Sequence, residues 1–298
     1  MPQKKQSHSM SFHTRGADFR AVFVSAAEAI NAATAQIKVD SRVLYQFSEL
    51  TVCTNLLASL FRDLHDITLE VSTEKFFRSL IVEATPEGIF RAACQPFEAI
   101  QEVQNTNAVD ADVLSAKLVV TKRYPQVAEQ MRSTVGSKSN SIPNLVQQYL
   151  HESEQISTLM LTGTRLCPDA ERGVVADKCF GLLIEALPGV SDDRKFIITD
   201  NLERLESLTE YFSDNAVKDV MDLLDDIYPG EQWIQTSETS LVYRCRCNRE
   251  GYLERIVDLA KRDIEEVFGD LQELEVKCGY CANVFHYPRS EVEARLLP

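Results

Sequence analysis

YRCRCNRE (243–250) and VKCGYCANVF (276–285) hold four cysteines in two tight pairs, Cys245 with Cys247 and Cys278 with Cys281. They are four of the chain's eight cysteines, and all lie in its last 54 residues. Two thiolate pairs converging on one point supply the tetrahedral donor set of a Zn²⁺ ion, with Zn–S bonds of about 2.3 Å. The same four sulfurs can instead close two disulfides. Around this array, residues 241–298 read as a small module. A strand carries the first pair, helices fall within 250–269, LEVKC enters the second pair, and VFHY returns as a hairpin. Ser290-Glu291-Val292-Glu293 matches a capping box for a short closing helix. A core this small rarely supplies more than about 3–5 kcal/mol. A structural zinc contributes roughly 10–16 kcal/mol in zinc-finger peptides. One Zn²⁺ per chain is therefore expected to hold the module folded.

The two pairs differ in their readiness to bridge. On an extended strand, Cys245 and Cys247 would face the same way with Cα atoms roughly 6.6 Å apart, at the outer edge of disulfide geometry. Cys278 and Cys281 would sit across a turn, with Cα atoms under about 7 Å apart. Cys278–Cys281 is expected to oxidise first. The spacing leaves other readings open: a constitutive zinc knuckle, a nucleic-acid-binding zinc ribbon, or a thioredoxin-like C-x-x-C site. No βαβ pattern surrounds Cys278, which weighs against the last. Cys53 and Cys94 sit in apolar contexts and read as buried core thiols. With four cysteines at hand, His286 reads as a surface residue of the hairpin rather than a ligand.

Upstream of the module lies an acidic stretch. Between Asp192 and Glu238, thirteen Asp/Glu face Arg194, Lys195, Arg204 and Lys218, a balance of 4 − 13 = −9. LERLESLTEYF places Leu202, Leu205, Leu208 and Phe212 on one side of a helix. Ser213 or Asp214 could cap a second helix with Val217, Val220, Met221, Leu224 and Ile227 on its apolar face, ended by Tyr228-Pro229-Gly230. Residues 190–240 thus read as a helical linker whose apolar faces need cover.

Residues 16–189 read as α+β. Val43, Phe47, Leu50, Leu57 and Phe61 recur at helical spacing and predict a helix from Asp40 to about Arg62. ITLEV, SLIVEA, IFRAAC, KLVVT, STLMLTG and CFGLLIEAL read as strands, with Thr85-Pro86-Glu87-Gly88 turning a hairpin. Ser141 and Pro143 open a helix through Tyr149. The fold class expected is α+β, a mostly antiparallel sheet with packed helices, followed by the helical linker and the small zinc-binding module. Residues 1–15 carry Lys4, Lys5 and Arg15 and read as a disordered tail, an organellar presequence being the alternative. No apolar run approaches the roughly 18 residues of a membrane-spanning helix. The net charge of −14 argues against a nucleic-acid partner. No phosphate loop, nucleophile elbow or paired-carboxylate constellation is present, and nothing argues for an enzyme.

At this point the chain resembles a known family, the redox-regulated holdase chaperones of the heat-shock protein 33 type. YRCRCNRE is similar to the family's C-x-C followed by Ser-Arg-Glu, with Asn248 for serine, and LEVKCGYC to its IEV-x-C-x-x-C. YLHESEQ (149–155), FGLLIEALPG (180–189) and LIVEATPEGIFRAA (80–93) resemble three further motifs in the expected order. The chain departs from the family at STEKFFRS (72–79), at Gly181 where two glycines stand, and at Glu185 where glutamine stands. The resemblance implies an ATP-independent chaperone, inactive while reduced and zinc-bound. Oxidation would pair Cys245 with Cys247 and Cys278 with Cys281, expel zinc and unfold the module. Clients would be unfolding proteins, bound by a homodimer in the cytoplasm or an organellar matrix, with neither nucleic acid nor membrane as partner. Leu202, Leu205, Leu208, Phe212, Val217, Val220, Met221, Leu224 and Ile227 are the client-binding candidates. The competing expectation is a constitutive zinc-ribbon adaptor.

Overall fold

The computed structural model describes residues 6–37, 39, 41–73, 77–96, 116–137, 141–205, 207–213 and 218–296. The chain divides into two units, Met1–Tyr243 and Arg244–Pro298. The first unit begins with β1 (His8–Thr14), β2 (Phe19–Ser25), α1 (Ala27–Ile37) and α2 (Ser41–Leu60). The strands β3 (Asp66–Thr73), β4 (Phe77–Ala84), β5 (Ile89–Pro96), β6 (Ala116–Arg123) and β7 (Met131–Ser137) follow, then α3 (Ile142–Glu152) and the long hairpin β8 (Ser157–Asp169) and β9 (Gly173–Ala186). Region 190–240 contributes α4 (Asp192–Glu203), α5 (Leu208–Tyr211), α6 (Val220–Ile227) and β10 (Trp233–Ser240), and β11 (Val242–Tyr243) closes the unit.

These strands form two sheets, ordered β10-β1-β2-β9-β8 and β11-β5-β4-β3-β6-β7. Every pairing is antiparallel except the two-residue β11 against β5. The expected antiparallel α+β class is therefore present, as two sheets of five and six strands. The expectation of a disordered tail over 1–15 is corrected at residues 8–14, residues 1–5 lying outside the described residues. His8–Thr14 pairs with β2 on one side and with Trp233–Ser240 on the other, a partner more than 200 residues away that local composition cannot reveal.

The central helix α2 packs against strands of both sheets, so it is buried on nearly every face, its polar residues included. Its polar residues return their donors to their own helix: Ser48, Thr51 and Thr54 hydroxyls donate to the carbonyls of Leu44, Phe47 and Leu50 at 2.7, 2.8 and 2.6 Å. Gly181 on β9 is what lets α2 come this close, since a Cβ there would stand 2.4 Å from Val52 Cγ1. The departure at Glu185 is answered by Arg20, whose Nε donates to its nearly buried carboxylate. In YLHESEQ, Glu154 accepts from both Tyr149 Oη and the buried Lys122, whose Nζ lies at 2.6 Å.

Alternation along β2 and β9 splits the core in two. Val22, Val24 and Leu183 face α2, while Phe19, Ala21, Phe23, Leu182 and Ile184 face the opposite side of the five-stranded sheet. Region 190–240 covers that second face with Ile198, Leu208, Phe212, Leu223, Leu224, Ile227 and Trp233, all buried. Three expectations for this region are corrected. The single helix through Leu202–Phe212 is broken, because α4 stops at Glu203 and Ser207 caps α5 by accepting from Glu210 N–H at 3.1 Å. The second helix starts at Val220, where Asp219 forms a capping box with Asp222, rather than at Ser213; Asp214 and Val217 lie outside the described residues. The final residues are a strand, not helix, because β1 offers β10 a hydrogen-bonding edge.

Candidate metal centre

The second unit holds α7 (Arg249–Ala260), α8 (Ile264–Phe268), β12 (Glu273–Lys277), β13 (Val284–Pro288) and α9 (Arg289–Leu296). Its buried apolar core is Leu253, Ile256, Val257, Ala260, Phe268, Tyr287 and Val292, a small set for a unit this long. Asn248, in the position the family fills with serine, caps α7 through Gly251 N–H at 2.6 Å. The Arg249 guanidinium grips Glu291 bidentately at 2.7 and 2.5 Å and reaches the His286 carbonyl at 3.1 Å, tying α7 to β13 and α9. The closing helix begins at Arg289, so Ser290 is a helical residue and not the expected cap.

The hairpin β12–β13 brings the second cysteine pair to its turn, where Cys278 N–H bonds Asn283 O at 2.8 Å and Ala282 N–H bonds Cys278 O at 3.0 Å. Ala282 takes the left-handed region at φ 59°, closing the knuckle. The first pair lies between β11 and α7 in irregular backbone, so the expectation of a strand through Cys245 and Cys247 is corrected, and with it the strand-based estimate of their separation.

The four Sγ atoms all fall within 4.8 Å of one another, with Cys278 and Cys281 buried and Cys245 and Cys247 half-buried. Cys245 Sγ lies 3.6 Å from Cys278 Sγ, and Cys247 Sγ 3.3 Å from Cys281 Sγ. Four sulfurs each about 2.3 Å from a tetrahedral metal would be separated by about 3.8 Å; a disulfide needs about 2.05 Å. The arrangement fits a thiolate-bound metal. The thiols are electrostatically unequal. Burial raises Cys245 and Cys247, the latter also by hydrogen bonds shared with its neighbours. Burial raises Cys278 too, but N–H groups of Cys281 and Tyr280, the Tyr252 hydroxyl and the Cys245 thiol outweigh it and bring it down to about 6.

Tyr252 is a site residue that sequence reading missed. Its hydroxyl, pushed up to about 12 chiefly by its bond to Cys278, reaches the sulfur from the first turn of α7. Its position five residues after Cys247 was the available signal. His286 stands apart from the thiols, 3.3 Å from Glu273 on the neighbouring strand. Cys53 is fully buried, whereas Cys94 is only half-buried against the same core. Among the client-binding candidates, Leu208, Phe212, Val220, Leu224 and Ile227 are buried against the sheet face, and Leu202, Leu205 and Met221 half-buried there. Leu223, Ile198 and Trp233 join them without having been anticipated.

An antiparallel α+β unit whose outer sheet face is covered by its own acidic segment, followed by a four-thiol unit, defines a class: a two-sheet α+β domain with an appended metal-type cysteine cluster. Comparison with known proteins agrees. The family model for Hsp33 protein matches residues 7–288. The 33 kDa chaperonin of Syntrophotalea carbinolica is 21% identical over 97% of this chain and 99% of its own length. That of Pelobacter propionicus is 25% identical over 80% of this chain and 77% of its own. The crystal structure of the 33 kDa chaperonin from Thermotoga maritima superposes with a TM-score of 0.79 at 18% identity, covering 97% of each chain. The chain belongs to the Hsp33 family, a family of chaperones rather than enzymes. No helix among the described residues is long and apolar enough to cross a membrane.

Proposed function

We propose that this protein is a redox-regulated, ATP-independent holdase. In the reduced state Cys245, Cys247, Cys278 and Cys281 would hold one Zn²⁺, which when bound cross-links the two halves of the second unit. Two equivalents of a peroxide would oxidise the four thiols to two disulfides, each peroxide taking two electrons and leaving as water. Cys278 and Cys281 would pair first, because a single turn spans them. Cys245 and Cys247 would pair second. The site then loses its donors and its metal, and the second unit loses the tie that its small core cannot replace.

The observation that carries this reading is the cover on the five-stranded sheet. Among the described residues Phe19, Phe23, Leu182 and Ile184 are covered by α4, by the short α5 of four residues and α6 of eight, and by Trp233, in a segment directly joined to the cysteine unit. Releasing that segment would bare two complementary apolar surfaces for unfolding clients, while its −9 charge keeps it soluble. Homodimerisation on oxidation and a cytoplasmic location belong to the same proposal. The test is citrate synthase aggregation followed by light scattering, with zinc release measured in the same sample. Protection that appears together with zinc release supports the holdase. Retained zinc with no gain of protection would instead identify a constitutive zinc-ribbon adaptor.

A further inference from the structure

A cavity of about 540 Å³ opens in the first unit where the C-terminal end of α2 meets β1, β2 and β10. Its walls mix apolar side chains, Leu60 and Phe61 among them, with the cations Arg20 and Arg62 and the imidazole of His13. Such a volume, mostly apolar with a few converging polar groups, is characteristic of small-molecule sites. The two guanidinium groups come from different elements and are held in place. Arg20 is anchored by Glu185 and reaches the Leu60 carbonyl through Nη1 at 3.4 Å. Arg62 is anchored through Nη2 alone, to the hydroxyls of Ser11 at 2.8 Å and of Ser237. Among the described residues this leaves Arg62 Nε and Nη1 and Arg20 Nη2 with donors to spare. Asp63 is the one acid on the lining; Glu185 balances Arg20, and among the described residues no ion pair engages Arg62, so Arg62 is the charge the wall offers an anion.

We propose that this cavity binds an amphiphilic organic anion, a phosphate or carboxylate head carried on an apolar body. The guanidinium groups would take the head, since planar forks suit both oxyanions, and Leu60 and Phe61 the body. Inorganic phosphate alone would leave most of the cavity unfilled. Because Thr236 of β10 shares the lining, a bound anion would bridge β10 to α2 and raise the unfolding midpoint of the first unit.

Isothermal titration of the reduced, zinc-loaded protein with adenosine monophosphate and with decanoate, against inorganic phosphate, tests the assignment. Saturable binding by one organic anion is expected, and which one binds separates a nucleotide from a fatty-acid source. Arg62→Gln, which keeps a donor for Ser11 and Ser237, should weaken binding about tenfold. Ser59→Phe, which fills the cavity and leaves every charge in place, should abolish it; both variants are checked for folding by their unfolding midpoints. Binding that persists unchanged in both, inorganic phosphate binding as tightly as either organic anion, or no saturable heat up to about 1 mM ligand overturns the proposal. Each readout is independent of chaperone activity.

Discussion

Gly163 on β8 is the seat of α5. A Cβ built there would lie 3.1 Å from Leu208 Cβ, 3.1 Å from Thr209 N and 3.2 Å from Thr209 Cγ2. One of these neighbours is backbone, which cannot swing aside. Replacing Gly163 by valine suits the strand itself, where β-branched residues are favoured, and sets the whole strain against α5. Overpacking of this kind costs about 1–3 kcal/mol, which multiplies the undocked population of α5 by roughly 5–150. Opposing it is the burial of Leu208 and Phe212, about 1.5–3 kcal/mol each, together with the bond from Lys178 Nζ to the Phe212 carbonyl at 2.9 Å. The expected result is local release of α5 while both sheets and the cysteine unit stay intact. Hydrogen exchange should show faster exchange at residues 207–213. The reduced, zinc-loaded Gly163→Val protein should suppress citrate synthase aggregation without oxidant, and Gly163→Ala should do so less. Unchanged exchange over 207–213 would refute the steric argument. Faster exchange without any protection would refute the idea that this segment masks the client surface.

Stripping the metal with a chelator, or replacing Cys278 by serine, should unfold residues 244–298 and leave the first unit's cooperative transition in place, as seen by residue-resolved NMR. Tyr252→Phe removes the hydroxyl on the Cys278 sulfur and should weaken zinc affinity by about 10–100-fold in a chromophoric chelator competition, the usual cost of losing a bond that orients a ligand. Glu49 provides a pH prediction. Burial pushes its carboxyl from 4.5 up to about 7, against hydrogen bonds from Thr162 and Tyr45 that pull it down. A folded-state pKa above the unfolded one means stability that is complete below about pH 4.5 and lost as pH rises through about 7, a difference of about 3 kcal/mol. Urea midpoints of the first unit should fall between pH 5 and 8, and Glu49→Gln should flatten that slope; an equal slope in both proteins would show that Glu49 is not its source.

Local chemistry explains why so much of this protein is readable from its residues. The strands ITLEV, SLIVEA and KLVVT show their alternation within five or six residues, and β3, β4 and β6 lie where it predicts. The helix over residues 41–60 carries its period on one segment, and the thiol array is fixed by two short motifs whose convergence needs only one hairpin. Where the reading failed, the deciding partner was far away. The first strand looks like a polar tail until β10 and β2 supply its ladder. The Leu202–Phe212 periodicity is real, yet the sheet surface prefers a break that sets Leu208 and Phe212 onto Phe23 and Phe180.

The sequence by itself determined the four donors, the smallness of the core around them, and therefore the dependence of the last unit on something other than apolar burial. It also determined that the preceding acidic segment carries an apolar side. Only the tertiary structure decided what that side covers: the second face of a five-stranded sheet whose own alternation hides Phe19, Phe23, Leu182 and Ile184 beneath it. It also decided that the first cysteine pair lies off any strand and that Tyr252 attends Cys278. The physical reason is that donor identity and periodicity are properties of neighbours along the chain. Which two apolar surfaces meet depends on sheet order and on close approaches, such as those at Gly163 and Gly181, that no local pattern encodes.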